Sequence, residues 1–567
     1  MILLDSHRRI GLAAIFACTL VGAALRITRL GSLGLIQFDE GIYAIAGLWC
    51  FDPGGIRGID PMVIPYAPPA FPLLVGISYS LLGVSDFSAI VVSVMAGIIT
   101  IPVVAWVGWR TFGVQAGAAS AAFVALSGVH VAFSRMALTD ASFLLAWVVA
   151  MGIGQRFVEH LRLSRAVALG IVVGLVQYFK YNGWLTGVAT ALAVVLSMTL
   201  DPLERGRGRI VRTVVLGSAA ALIAVLVYSV WFRFVESHGG YAGLLVHQRG
   251  YMGGLSSWLP HWNSQLAQGV ALSGEPVWGA IAMLVAFGSV WSSNPKVGGM
   301  VGNATLAAAG LLAVLLLSFV PMLSWWVALG WTLSPWSSRP VAARVLGGWW
   351  LTLAAMTPFY HPYARLWLPL HAASWIIMAG VLASLVPWIQ QWGEAIRPAA
   401  LPRRMPLVVG LVAAIAIGHF LLDTPRPRPL QGLLGPSDSL RTACHQLASA
   451  LPANVPEIRL LARPPVRYYL ALSGRGPLHP VADLESLLRL VDPAAWVVVD
   501  ETILRQEGDP QVARGRLLEH YDVVNEWSTQ LNLPTLLDVD PAASRRESRA
   551  RSGSLLLLRP RRPRVSP

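Results

Sequence analysis

The sequence predicts an α-helical polytopic membrane protein with about 13 transmembrane helices and a small extracytoplasmic α/β domain at its C-terminus. Three observations carry this prediction. Of the 567 residues, 55% are hydrophobic and only 13% charged, about half the ~25% charged share of soluble domains. Apolar runs of roughly 15 to 25 residues, the length a helix needs to cross a bilayer, recur as far as Leu422 with short polar loops between them. Beyond a Pro-Arg linker the chain turns polar and holds 15 of the 29 acidic residues. The same figures exclude a disordered chain, a collagen, a coiled coil, a disulfide-stapled miniprotein and an ordinary cytosolic enzyme.

Taken in order, the predicted spans are Ile10–Arg26, Phe87–Trp109, Val114–His130, Asp140–Arg156, Ala166–Tyr178, Gly183–Leu200 and Ile210–Phe232. Pro276–Trp291, Asn303–Phe319, Met322–Leu333, Val345–Pro358, Leu366–Trp388 and Pro406–Leu422 follow. No small-residue cleavage site follows the first run and many spans do, so it is expected to be an uncleaved helix rather than a signal peptide. Pro321 is the weakest boundary, where one kinked helix could replace two short ones. With the amino terminus cytoplasmic, 16 arginines and lysines up to Asp423 fall on inner loops and 8 on outer ones, as the positive-inside tendency requires. An odd number of spans then places the C-terminal part outside the cell membrane.

Residues 1–423 are thus the transmembrane part, with a long first outer loop over 30–86, and 424–567 the extracytoplasmic domain with a disordered basic tail. Pro425-Arg426-Pro427-Arg428-Pro429 reads as a stiff linker. Beyond it Ile458–Leu461, Trp496–Val499 and Leu555–Leu558 read as strands, and Asp483–Val491 and Asp509–His520 as helices. The net charge of +14 rests on 43 basic residues, two of them lysine. Arg559, Arg561, Arg562 and Arg564 read as a solvated tail, and without a basic helix or a recognition motif no nucleic-acid binding is expected. Cys18, Cys50 and Cys444 are too few for a disulfide framework or a clustered metal site. The 22 tryptophans, with the pairs Trp325-Trp326 and Trp349-Trp350 among them, read as interfacial anchors.

Nine of the acids in the transmembrane part fall on the predicted outer face, five of them in the first outer loop. That loop is too long for a simple connector, and long ordered loops are usually functional. Near its start stands Gln37-Phe38-Asp39-Glu40-Gly41-Ile42-Tyr43-Ala44. Adjacent carboxylates disfavour joint ionisation when they are desolvated. A general base for an acceptor hydroxyl, or a ligand set for a divalent cation, would use such a pair. The first turn of a helix would use it equally, since acids favour the positive end of the dipole. The residues alone leave these readings open.

Further along come Pro68-Pro69-Ala70-Phe71-Pro72-Leu73-Leu74 and Leu82-Gly83-Val84-Ser85. Next are Phe133-Ser134-Arg135-Met136-Ala137-Leu138-Thr139-Asp140-Ala141 and Lys180-Tyr181-Asn182-Gly183. A late outer loop reads Tyr360-His361-Pro362-Tyr363-Ala364-Arg365-Leu366-Trp367. Arg135 and Asp140 can pair across a helix start or anchor it among headgroups. Lys180 has no charged neighbour in sequence, and a charge at membrane depth is a functional hypothesis by default, with snorkelling as its rival. His361 has no second His or Cys at ligand spacing. The outer stretch Glu236–Glu275, with Tyr251-Met252-Gly253-Gly254, is a candidate cover.

This ordered set resembles the integral-membrane glycosyltransferases of the C superfamily. The nearest groups are the protein O-mannosyltransferase family, glycosyltransferase family 39, and the bacterial aminoarabinose lipid A transferases. One departure is Ser88-Ala89-Ile90-Val91-Val92-Ser93, where relatives often carry an Arg before the Ser, so a donor contact made there is not carried over. The resemblance implies a polyprenyl-phosphate sugar donor and an inverting transfer, on the outer face, to a lipid, a cell-envelope glycan or a protein. By the same resemblance Asp39 is the general base, and Glu40 orients the acceptor or holds a cation such as magnesium or manganese. Arg135, Lys180 and Arg365 are candidates for the donor phosphate; Tyr43, Asp140, Tyr181, His361 and Tyr363 are candidates for substrate binding. The rival from another class is a transporter or flippase for lipid-linked sugars, which should show mid-bilayer charges and related halves. A non-catalytic glycan-binding subunit of the same fold is a third reading.

Overall fold

The computed structural model describes residues 2–51, 68–200, 206–238, 240–272, 323–333, 340–394, 437–490, 492, 494–505, 509–539 and 552–561. The predicted spans Pro276–Trp291, Asn303–Phe319 and Pro406–Leu422 lie outside these residues, as do the linker Pro425–Pro429, most of the first outer loop's middle and the last six residues. The chain divides into two compact units. One takes the described residues of Met1–Thr28, Val94–Ser134 and Thr139–Leu433, the other those of Arg29–Ser93, Arg135–Leu138 and Leu434–Pro567.

Among the described residues six helices are long and apolar enough to cross a membrane: Arg8–Ser32, Asp86–Phe112, Thr139–Glu159, Tyr181–Thr199, Arg207–Glu236 and Ala364–Ser384. Counting the bent pair Val114–Leu126 and Gly128–Ser134 as one span makes seven. The runs expected to span at Ala166–Tyr178, Met322–Leu333 and Val345–Pro358 are the shorter helices Leu163–Val176, Leu323–Leu333 and Val341–Met356.

In the first unit small residues set the helix spacing. A Cβ on Gly170 would lie 2.5 Å from the Ala220 carbonyl oxygen, and one on Gly174 would lie 2.7 Å from Val227 Cβ. This Gly-x-x-x-Gly stripe lets Leu163–Val176 approach Arg207–Glu236 closely, the usual way helices associate in lipid. The bent pair turns by 59°, and the break frees carbonyls in the last turn of its first half. Buried Arg26 supplies the missing donors, to Val124 and Ala125 oxygens at 3.2 Å each and to Gly22 at 2.7 Å. Its Nη2 also donates to His130 Nδ1 at 2.7 Å, because a guanidinium can only donate.

The tryptophan pairs correct the interfacial reading. Trp325, Trp349 and Trp350 are buried inside the helical unit. The Trp325 indole N–H donates to His371 Nδ1 and that of Trp350 to Ser374 Oγ, both at 3.0 Å. Composition reveals a large amphipathic ring but not which way it faces, and here the polar edge is satisfied by a neighbouring helix instead of by headgroups.

The second unit holds a five-stranded mixed sheet in the order β2-β1-β3-β5-β4, with β1 Ile458–Leu461, β2 Leu478–Pro480, β3 Trp496–Asp500, β4 Tyr521–Gln530 and β5 Ser552–Pro560. β1 runs parallel to β2 and β3, while β5 is antiparallel to β3 and β4. Val497, Val499, Leu556 and Leu558 meet Leu484, Leu487, Leu504 and Leu517 in its core. The same unit contains the helices Phe38–Phe51, Ala70–Leu82 and Pro464–Leu472.

Gly41 marks the closest approach within this second unit. A Cβ there would lie 2.2 Å from the Pro465 nitrogen and 2.4 Å from the Pro464 carbonyl carbon, backbone atoms that cannot rotate aside. Gly41→Val is therefore expected to force the Phe38–Phe51 and Pro464–Leu472 helices apart. It should cost ~1–3 kcal/mol or more as overpacking does, read as a lowered unfolding temperature in detergent. An unchanged temperature would mean that the two helices do not pack at this distance.

Candidate active site

The carboxylate pair opens the Phe38–Phe51 helix. Gln37 caps it: its Oε1 accepts the Asp39 amide at 2.5 Å and the Glu40 amide at 3.3 Å, satisfying donors that a helix start leaves free. Both acids lie in the first turn, where the dipole favours them. Successive helical residues point about 100° apart, and the environments of the two differ accordingly. Asp39 is half-buried, while Glu40 is 1% exposed.

Both Glu40 oxygens are engaged. Oε2 accepts the amides of Ile36 and Gln37 at 2.9 Å each, and Oε1 accepts the amide of Ala137 at 2.8 Å. Burial pushes the carboxyl up to about 7, against the downward pull of these three donors, and the charge of Asp86 adds to the rise. Glu40 thereby ties the start of the Asp39 helix to the short segment Arg135–Leu138. Arg135 is buried in the same unit, and burial lowers its guanidinium to about 10, so it stays cationic at neutral pH. Tyr43, one turn beyond Asp39, is buried with its ring edge-on to Phe71 at 5.2 Å.

The other expected site residues belong to the first unit and form two clusters there. In one, Lys180 Nζ is ion-paired with Asp140 Oδ1. The Lys180 ammonium also lies 5.6 Å from the Phe143 ring centroid. The lysine without a charged neighbour in sequence thus finds its carboxylate across the fold. Tyr181 follows, its hydroxyl accepting the Trp231 indole N–H at 3.3 Å. Breaking a buried pair from one side is strongly destabilising. Asp140→Ala should accordingly cost roughly 3–5 kcal/mol in thermal unfolding, and adding Lys180→Met should recover most of the loss. If the double variant is no more stable than the single one, the pair is not what holds this corner.

In the second cluster the loop after Val341–Met356 pairs with the candidate cover. The Gly253 amide donates to Phe359 O and the His361 amide to Tyr251 O, both at 2.7 Å. The His361 ring lies 4.5 Å from that of Tyr363, and the Arg365 guanidinium stands 5.0 Å over the same tyrosine ring. Burial, with the charge of nearby Arg365 adding to it, lowers His361 and favours its neutral form. Tyr251, with its ring 6.2 Å from Tyr363 and 5.9 Å from Tyr360, joins the cluster from a stretch that the sequence offered only as a cover.

Among the described residues no group of three or more His, Cys, Asp and Glu side chains is placed to hold a metal ion. With Glu40 shut off from solvent and engaged by amides, Asp39 is left as a single carboxylate. These residues do not compose a magnesium or manganese donor set, and no catalytic step is assigned to a metal.

The chain shares its fold with solved integral-membrane proteins. It is similar to the crystal structure of ArnT from Cupriavidus metallidurans in the apo state, with a TM-score of 0.55 and 16% identity over 96% of this chain and 97% of that one. The same protein bound to undecaprenyl phosphate gives 0.53 and 15% over the same shares. The oligosaccharyltransferase of Archaeoglobus fulgidus, tethered with an acceptor peptide, gives 0.51 and 12% identity over 90% of this chain and 72% of that one. The family model described as dolichyl-phosphate-mannose-protein mannosyltransferase matches residues 66–232. No curated protein matches in sequence.

Proposed function

We propose that the chain is a membrane glycosyltransferase that takes a sugar, hexosyl or pentosyl, from a polyprenyl-phosphate donor. It passes the sugar with inversion to a hydroxyl of a lipid, a cell-envelope glycan or a protein. The amino terminus is cytoplasmic in this reading, and the transfer takes place on the outer face, where the C-terminal region also lies. The observation that carries it is the division of the carboxylate pair: Glu40 is enclosed by three amides, and Asp39 is half-buried on the first helical turn. A lipid-phosphate donor is supported by the undecaprenyl phosphate held in ArnT and by the dolichyl-phosphate sugar named for the matched family.

In the proposed step the acceptor oxygen attacks the anomeric carbon while the bond from that carbon to the phosphate oxygen breaks. The hydroxyl proton passes to the Asp39 carboxylate, and polyprenyl phosphate leaves with the electron pair. The charge that grows on the leaving oxygen needs cations preorganised where water is scarce. Arg135, Lys180 and Arg365 are assigned that task, and Tyr181, His361 and Tyr363 donate hydrogen bonds to the sugar. Glu40 is a positioning residue, and Tyr43 supports the helix behind the base.

The reading is tested with purified protein in nanodiscs and a panel of radiolabelled undecaprenyl-phosphate sugars, scoring release of undecaprenyl phosphate. Turnover of one donor that depends on Asp39 supports the transferase and identifies the sugar. Donor binding without cleavage, with and without candidate acceptors, would favour the flippase.

A further inference from the structure

Five consecutive residues, Leu33 to Gln37, lead into the helix that carries Asp39, and each is fastened by the C-terminal part of the same unit. Arg441 donates to the Leu33 oxygen at 3.3 Å, and the Gly34 amide donates to the Ser437 oxygen at 3.1 Å. The Leu35 amide donates to the Tyr469 hydroxyl at 2.7 Å, and Arg463 Nη1 donates to the Ile36 oxygen at 2.7 Å. The Ile36 side chain is buried against Leu531 and Leu536. Gln37 Nε2 donates to Asp538 Oδ2 at 3.1 Å, while its Oε1 accepts the Asp39 amide.

The fasteners are anchored in turn. Arg463 Nε donates to Asp500 Oδ2 at 2.5 Å with both residues buried, and Tyr469 donates to Asp86 Oδ2 at 3.1 Å. The Ile36 and Gln37 amides donate to Glu40 and the Leu33 amide to the Leu30 oxygen, so every amide from Leu33 to Gln37 is engaged. An unbroken chain of hydrogen bonds runs from Asp538 through Gln37 to the backbone of Asp39. Misplacing a reacting group by ~1 Å can cost ~10²-fold in rate, so such a scaffold bears on turnover and not only on folding.

We propose that Tyr469, Arg463 and Asp538 are positioning residues for the Asp39 carboxylate. The C-terminal sheet region is then a working part of the transfer site, not a cover over it. The inference rests on Asp39 being the base. It is tested on the full-length protein in nanodiscs with Tyr469→Phe, which removes only a hydroxyl, and with Asp538→Ala, Asp538→Asn, Asp39→Asn and the double variant of Asp39→Asn with Asp538→Ala.

Tyr469→Phe and Asp538→Ala should each lower kcat by ~10–100-fold, with KM for the donor and affinity for undecaprenyl phosphate changed less than about twofold. Amide hydrogen exchange should rise over residues 33–41 and not elsewhere. Asp538→Asn, which keeps an acceptor for Gln37, should restore most of kcat. In the Asp39→Asn background Asp538→Ala should change nothing further, since groups that act as a unit are not additive. Unchanged kcat in Tyr469→Phe and Asp538→Ala, with Asp39→Asn inactive, overturns the positioning role and leaves the functional reading standing. Loss that tracks the folded fraction or donor affinity, or that deepens in the double variant, overturns it as well. Full activity of Asp39→Asn, or no turnover with any donor, instead removes the functional reading on which the inference rests.

Discussion

Asp39→Asn is expected to lower transfer by ~10²–10⁴-fold, the span that a positioned general base contributes, while the protein still folds, inserts and binds undecaprenyl phosphate. The substitution keeps the size of the side chain and leaves the Asp39 amide on Gln37 Oε1. It removes the negative charge and with it the ability to take a proton. A sugar or protein hydroxyl is a weak nucleophile until that proton is accepted, so the loss should fall on kcat, with KM for the donor little changed. Asp39→Glu carries the same charge one methylene further out and should retain less than a tenth of the rate, because a base outside hydrogen-bond reach of its proton contributes little. Release of radiolabelled sugar, measured with the unfolding temperature of each variant, checks both. Wild-type turnover by Asp39→Asn would eliminate the proposed base.

How far this site could be read from sequence depends on the distance over which each interaction acts. The helices at Asp86–Phe112, Thr139–Glu159 and Arg207–Glu236 were legible because a long apolar run suffices to predict a span. The Asp39-Glu40 pair was legible as a motif, but the separate duties of its members were not. Glu40 is enclosed only because Ala137, 97 positions away, brings its amide to it. Lys180 looked isolated for the same reason, its carboxylate standing 40 positions earlier at Asp140. Arg463, Tyr469 and Asp538 carried no signal at all, since the loop they fasten lies more than 400 residues away. β1, β3 and β5 announced themselves as apolar runs. β4 did not, because Tyr521–Gln530 is largely exposed and loses its alternation at an irregularity between Val523 and Asn525.

Glu40→Ala should be the most damaging substitution to the fold of this region. It strands three buried amides, those of Ile36, Gln37 and Ala137, and each orphaned donor costs ~1–3 kcal/mol. Glu40→Gln keeps one oxygen but turns an amide N–H toward another donor, so it should fall between alanine and wild type. The isosteric variant also isolates a pH effect. Burial raises the folded-state carboxyl to about 7, above the ~4.3 of an unfolded glutamate. The folded state therefore binds this proton more tightly than the unfolded one. The stability it brings is full below ~4.3 and is lost as pH rises through about 7. The difference in unfolding temperature between wild type and Glu40→Gln should accordingly shrink from pH 5.5 to pH 8.5, because the glutamine cannot titrate. A difference that stays constant would mean that the three amide donors outweigh burial and hold Glu40 ionised throughout. Transfer should fall in Glu40→Gln as well, since the same carboxylate ties the helix of the base to the Arg135 segment assigned to the donor phosphate.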